Sequence, residues 1–392
     1  MIYLIIKWRL RTPFSTIKQK VVIGFMKRII SFFKKEAVFC IAGILALITS
    51  LVVLPDEKYI DYIDFRVLSL LWCLMMVVEG YNRAGLFRSL AVKLLENAKN
   101  TRRLSFILVM LPFISSMFIT NDVALITFVP FACLILSVGG KESMMIPVIA
   151  LQTIAANLGS MLTPVGNPQN LYLYTYYDMT LEEFINCMAP LYVTALVLLM
   201  VFIFFRKKEK IMIDGLMSQR VDRLRVFVLT VLFVICILCV ARVIPYYIML
   251  IIVGLVILII DRKIITKVDY MLLATFVFFF IFIGNVGRIE HIANFLENML
   301  KNRELYISIA LGQVISNVPA AILLSGFTED KIDILRGVNI GGLGTLIASL
   351  ASVISFRCYS ATPLNNKSKY ILVFTLYNII FLAGMMFVAN VL

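Results

Sequence analysis

The sequence predicts an all-α polytopic membrane protein. It reads as an inverted-topology repeat with two re-entrant hairpins, two broken helices and about 9–11 transmembrane helices. Three observations carry that expectation. The 392 residues are 61% hydrophobic and 15% charged, with a mean hydropathy of +0.96, far from a soluble composition. The apolar runs are long and continuous instead of alternating, which suits helices and argues against a transmembrane β-barrel. A helix-breaking stretch, "NLGSMLTPVGNPQN" over 157–170, sits inside this apolar chain and has a counterpart in the second half.

Charge and cysteine narrow the function classes. The net charge is +14, but the basic residues fall in the connections between apolar runs. Orientation and anionic headgroups account for them, so membrane lipid and not nucleic acid is the expected partner. Cys236 and Cys239 form a C-x-x-C within a span, with no second pair or neighbouring histidine, and read as packing residues. His291 is the only histidine, on the amphipathic stretch "RIEHIANFLENML", so no histidine-based metal cluster is available. No clustered acids of the kind that hold Mg²⁺ for a membrane-embedded transferase stand in or beside a span. The chain is therefore read as a non-enzyme, with no cofactor besides a coupling Na⁺ or H⁺.

The elements follow in order. Residues 1–36 form a basic arm without the features of a removed signal peptide, and the positive-inside rule places it in the cytoplasm. Spans at 37–54 and 65–82 lead into a loop rich in lysine and arginine. Hairpin 104–139, the broken helix 144–178 and a span at 189–205 complete the first repeat, 37–205. A cytoplasmic linker, 206–225, leads to the second repeat, 226–392. That repeat holds spans at 226–240, 244–260 and 270–286, hairpin 305–327, the broken helix 338–360 and a last span at 370–392. Inside and outside alternate correctly only if each hairpin enters and leaves on one side. The result is a multi-pass protein of the cytoplasmic membrane with its N-terminus inside.

The repeat is legible residue by residue. "VLPDEKYIDYIDFRVLSLL" over 53–71 matches "LIIDRKIITKVDYMLLATF" over 258–276, which pairs Asp64 with Asp269. The polar stretches "EGYNRAG" and "GNVGRIE" follow, and then the hairpin tips "FITNDVAL" and "VISNVPAA", which set Thr120-Asn121 opposite Ser316-Asn317. The opening stretch aligns without gaps on "NIGGLGTLIASLAS" over 339–352, so Asn157 meets Asn339, Gly159 meets Gly341 and Thr163 meets Thr345. Pro164 and Pro168 have no partners, because Leu346 and Leu350 stand there.

Broken helices at membrane depth persist where they line a cavity. Their N-terminal ends favour anions, and unwound carbonyls with small hydroxyls suit Na⁺. A small anionic substrate is therefore expected at a central site. Its candidate contacts are Thr120, Asn121, Asp122, Thr163, Pro164, Gly166, Asn167, Ser316, Asn317 and Thr345. Asp122 is a carboxylate at membrane depth, which points to proton or cation coupling, with helix capping as the bland alternative.

The stretches "ITNDVALITFVP", "GSMLTPVGNPQN" and "SNVPAAILLS" resemble the ion transporter superfamily of divalent-anion/sodium symporters, citrate transporters and arsenite efflux permeases, over roughly residues 37–392. The resemblance implies a secondary active transporter for a small anion, such as a di- or tricarboxylate or an inorganic oxyanion, coupled to Na⁺ or H⁺ and working as a homodimer. In the symporters each tip carries Ser-Asn-Thr. Here Asn121 and Asn317 match the asparagines and Thr120 and Ser316 the preceding hydroxyls, but the third position is Asp122 or Val318, so the carboxylate-binding threonines are missing. The Asn-Asp of the first tip is more similar to the arsenite permeases and sodium/proton antiporters, the alternative reading. By the same resemblance, Ser116, Asn121, Gly159 and Ser160 form a candidate Na⁺ site, with Asn317, Gly341 and Gly342 as the second-half equivalents. Gly312 stands where a second Ser116 would, so one cation site is expected over two.

Overall fold

The computed structural model describes residues 32, 36–95, 98–211, 221–363 and 366–392. The basic arm, apart from Phe32 and Glu36, and the linker residues 212–220 lie outside the described residues. The fold is all-helical: among the described residues the β contacts amount to an isolated bridge between Asn100 and Lys210.

The first repeat runs α1 (Ala37–Val52), α2 (Lys58–Asp61), α3 (Phe65–Arg83), α4 (Leu86–Leu95), α5 (Thr101–Ile119), α6 (Asn121–Val138), α7 (Met145–Gly159), α8 (Pro168–Tyr176) and α9 (Leu181–Phe204). After α10 (Arg223–Val240), the second repeat runs α11 (Tyr246–Asp261), α12 (Tyr270–Gly287), α13 (Glu290–Leu300), α14 (Glu304–Ile315), α15 (Asn317–Ser325), α16 (Lys331–Ile340), α17 (Leu350–Ser360) and α18 (Lys367–Val391). Among the described residues, eight helices are long and apolar enough to cross a membrane. Three shorter apolar helices, α1, α11 and α14, add to them.

Short polar side chains set where these helices begin, by accepting a backbone N–H that the first turn leaves unpaired. Asp64 Oδ1 accepts from Val67 N at 2.9 Å and Asp269 Oδ1 from Leu272 N at 3.0 Å, so the aligned aspartates start α3 and α12 in the same way. Asp330 accepts from Asp333 N at 2.9 Å. That cap starts the second broken helix at Lys331 instead of the expected residue 338. The two hairpins are unequal: α5 and α6 have 19 and 18 residues, α14 and α15 only 12 and 9. At 1.5 Å per residue the first hairpin's arms are as long as ordinary spans, whereas the second's are not.

Packing exchanges elements between the repeats. Helix α1 lies along α12 and α11 along α3; α8 lies on α15 and α17 on α6. Within each repeat the first hairpin arm packs on the first half of the broken helix, α5 on α7 and α14 on α16. Nearly every side chain of α7 is buried, so this half-helix, dense in Ala, Ile and Leu, forms the centre of the molecule. By contrast, α18 and α10 expose broad apolar faces, as lipid-facing helices do. Cys236 and Cys239 are buried, in agreement with a packing role, and His291 on α13 is exposed.

Candidate functional site

Each hairpin reverses at a single residue. Thr120 has φ 60° and ψ 147°, and Ser316 has φ 77° and ψ 155°. These are positive-φ conformations that β-branched and hydroxyl side chains rarely adopt, and they persist only where surrounding contacts hold them. The next residue supplies one such contact in each half. Asn121 Oδ1 accepts from Asp122 N at 3.0 Å, and Asn317 Oδ1 accepts from Val318 N at 2.9 Å. Asn317 N also donates to Ala348 O at 3.0 Å, which ties the second tip to its own break.

The broken helices are held against the hairpins by matched bonds. Thr163 Oγ1 donates to Met117 O at 2.5 Å, and Thr345 Oγ1 donates to Gln313 O at 3.2 Å. Gly159 is required by close approach, since a Cβ there would sit 2.0 Å from Phe113 O. Gly166 would likewise meet Ser160 O at 2.0 Å. Pro164 belongs to the short 3₁₀ turn Pro164–Gly166 between the two half-helices.

The two breaks grip each other reciprocally. Ser349 Oγ donates to Asn157 Oδ1 at 3.0 Å, and Asn167 Nδ2 donates to Asn339 Oδ1 at 3.3 Å. Asn157 aligns with Asn339 and Asn167 with Ser349, so these are one interaction made twice. The donors also cap the second half-helices: Asn167 accepts from Asn170 N and Ser349 from Ala351 N. Further bonds complete the lattice. Asn121 Nδ2 reaches Asn157 Oδ1 at 2.9 Å, Asn157 Nδ2 reaches Gly342 O at 3.2 Å, and Asn339 Nδ2 reaches Asn170 Oδ1 at 2.7 Å.

In front of this lattice lies a cavity of about 320 Å³. Asn121 and Asp122 from the first tip and Ser316 and Asn317 from the second line it, together with Pro168, Gln169, Ser349 and Leu350. Those residues are the beginnings of four helices, α6, α15, α8 and α17. Asp269 and Arg357 also line the cavity. Asp122 Oδ1 is buried without a hydrogen bond. Asp122 stands in the first turn of α6, and its backbone N–H is taken by Asn121 Oδ1.

Of the residues singled out from the sequence, Asn121, Asp122, Ser316 and Asn317 meet in the cavity wall. Thr120 forms the turn of the tip. Thr163, Pro164, Gly166, Asn167, Thr345, Ser116, Gly159, Ser160, Gly341 and Gly342 are not in the lining and build the frame behind it. Ser116 Oγ donates to Phe113 O at 3.1 Å and Ser160 Oγ to Asn157 O at 2.9 Å. Ser160 Oγ also accepts from Asn167 Nδ2 at 3.0 Å, and Asn170 Nδ2 donates to Ser160 O and Met161 O at 3.4 Å and to Thr163 O at 3.3 Å, so amides of the broken helix itself occupy oxygens of the first break. In the second break the amide comes from the hairpin. There Gln313 Nε2 donates to Gly341 O at 2.9 Å and to Leu343 O at 2.7 Å, so an amide already occupies the exposed carbonyls. Met117, its counterpart in the first repeat, brings no such donor.

Sequence reasoning missed Gln169, Ser349, Asn170 and Gln313 as site residues. Ser349 could have been found, because the internal alignment sets it on Asn167.

Comparison with known proteins agrees with this architecture. The profile of the citrate transporter family matches residues 22–329. The chain belongs to that family. It is 33% identical over 325 residues to the uncharacterized transporter MJ0456 of Methanocaldococcus jannaschii, covering 81% of this chain and 87% of that one. It is 31% identical over 303 residues to the inner membrane protein YbiR of Escherichia coli, covering 75% and 80%. The crystal structure of the YdaH transporter of Alcanivorax borkumensis shares the fold, with a TM-score of 0.53 at 12% identity over 89% of this chain and 95% of that one. This member of the citrate transporter family is thus a multi-pass membrane transporter.

Proposed function

We propose that the protein is a secondary active transporter that binds a small anion, a di- or tricarboxylate or an inorganic oxyanion, in the cavity between the two hairpin tips. The observation that carries this reading is the convergence of four helix N-termini, with Asn121 and Asn317, on one cavity. Each terminus carries the positive end of its helix dipole, roughly +0.5 of an elementary charge, so an anion is favoured without a lysine in the wall. Coupling uses one cation at the first break, near Ser116, Asn121, Gly159 and Ser160, because Gly312 stands in the second hairpin where Ser116 stands in the first. With the N-terminus inside, Asp269 and Arg357 mark the cytoplasmic side of the cavity. Alternating access follows from movement of the hairpins and broken helices against the remaining spans.

The test is uptake into liposomes across a panel of carboxylates, phosphate, sulfate and arsenate, each under imposed Na⁺ or pH gradients. Gradient-driven accumulation of one anion is expected, lost in Asn121→Ala and Asn317→Ala. Full uptake in both variants would remove the site.

One observation favours a second reading. The Asp122 carboxylate faces the cavity with an unpaired buried oxygen, which suits proton exchange in an arsenite or antimonite efflux permease or a sodium/proton antiporter. Growth on arsenite or at high Na⁺, with and without the gene, separates this from anion uptake.

A further inference from the structure

A second site lies away from the cavity, where the start of α5 meets the end of α9. Both helices are long and apolar enough to cross a membrane, so their meeting ends mark a membrane boundary. After α9 the chain turns back over α5: Thr101 N donates to Glu209 O at 2.9 Å, and Arg102 donates through Nε and Nη2 to Arg206 O at 3.1 and 3.0 Å. The Arg102 guanidinium also lies 5.0 Å from the centre of the Phe204 ring. The result is a groove of about 760 Å³ with an apolar floor and a basic rim.

The floor is Phe106, Met200, Val201 and Phe204, and the rim carries Arg103 and Lys208. Both rim side chains are exposed, and neither pairs with an acid among the described residues. Glu209, the acid of this neighbourhood, is engaged elsewhere. Lys141 Nζ lies 2.6 Å from its Oε2, and that hydrogen bond and charge hold the carboxyl below the usual carboxylate range. The rim is therefore a pair of uncompensated cations directly above exposed apolar surface. A solvated anion would use the rim alone, and an uncharged acyl chain would use the floor alone.

We propose that this groove binds an anionic phospholipid, its phosphate held by Arg103 and Lys208 and an acyl chain laid along Phe106 and Val201. Arg102 is committed to Arg206 and Phe204 and positions the rim without holding the headgroup.

The experiment uses the full chain in neutral detergent, with bound lipid read by native mass spectrometry and by thermal melting. Phosphatidylglycerol is expected to be retained and to raise the melting temperature, whereas phosphatidylcholine and glycerol phosphate do neither. Arg103→Gln with Lys208→Gln is expected to weaken phosphatidylglycerol by roughly fivefold per charge removed. Arg262→Gln with Lys263→Gln, which removes the same charge outside the groove, should leave it unchanged. Equal retention of phosphatidylcholine, an equal effect of glycerol phosphate, or an equal loss in the control variant would each overturn the site.

Discussion

Arg83 of the first repeat binds Asp261 of the second, with Nε 3.2 Å from Oδ2. The alignment that sets Asp64 on Asp269 also sets Arg83 on Arg288 and Asp56 on Asp261. The converse pair is present: Arg288 Nη1 lies 2.8 Å from Asp56 Oδ2. The polar stretches "EGYNRAG" and "GNVGRIE" thus each carry an arginine that fastens its own repeat to the other. Asp261 also meets Arg225 at 3.7 Å, and its side chain is only 14% exposed against 39% for Asp56. Arg83→Ala should therefore lower stability by more than Arg288→Ala, with the exposed pair contributing about 1 kcal/mol or less. A charge swap, Arg83→Asp with Asp261→Arg, should recover part of the melting temperature lost in either single variant.

Asn157→Ala removes one acceptor that two donors share, leaving Asn121 Nδ2 and Ser349 Oγ unpaired in a buried site. At roughly 1–3 kcal/mol for each unsatisfied group, we expect a clear drop in melting temperature and loss of transport. Asn339→Ala should behave alike, because its Oδ1 takes the matching donor Asn167. Normal melting with normal uptake in both variants would refute the reciprocal grip.

The tips make an opposite kind of prediction. Thr120 and Ser316 hold positive φ without being glycine, so Thr120→Gly and Ser316→Gly should relieve strain and leave melting unchanged or higher, by up to about 1 kcal/mol. Thr120→Val, which keeps the branch and loses the hydroxyl, should not.

Gly159→Ala would drive a methyl to 2.0 Å from Phe113 O, a backbone atom that cannot rotate away. A loss of several kcal/mol, or failure to accumulate in the membrane, is expected. Gly287→Ala, with nothing within 4 Å of the added carbon, serves as the silent comparison.

Asp122→Asn keeps the shape of the side chain and removes its charge. If Asp122 carries the coupled proton, transport driven by an imposed pH gradient should vanish while binding of substrate persists. Should the pH-driven rate survive in Asp122→Asn, coupling belongs elsewhere and the Na⁺ site gains weight.

Much of this architecture was legible because each local signal agreed with the next. The aspartates at 64 and 269 announce helix starts, and the strings around Asn157 and Asn339 announce breaks. The ungapped alignment pairs Thr163 with Thr345, and the structure gives them the same bond. What the sequence concealed is set by chain crossing. Nothing local says that Asn167 reaches Asn339 of the other repeat, because that contact exists only once both breaks meet at the centre. Gln313 was hidden for a similar reason: in an apolar run it reads as an isolated amide until the carbonyls of Gly341 and Leu343 arrive beside it.

Most of the polar atoms at the core are engaged with one another. The amides of Asn121, Asn157, Asn167, Asn170 and Asn339 hold the two breaks together, and of the side chains facing the cavity Gln169, Asp122, Arg357 and the Nδ2 of Asn317 carry groups with no such duty among the described residues. Mortar and reader thus overlap at the first hairpin tip, where Asn121 belongs to both. Asp122, Gln169 and Arg357 can be exchanged to greet a different solute while the masonry around them stays as it is, so selectivity in this scaffold can drift without the fold being renegotiated.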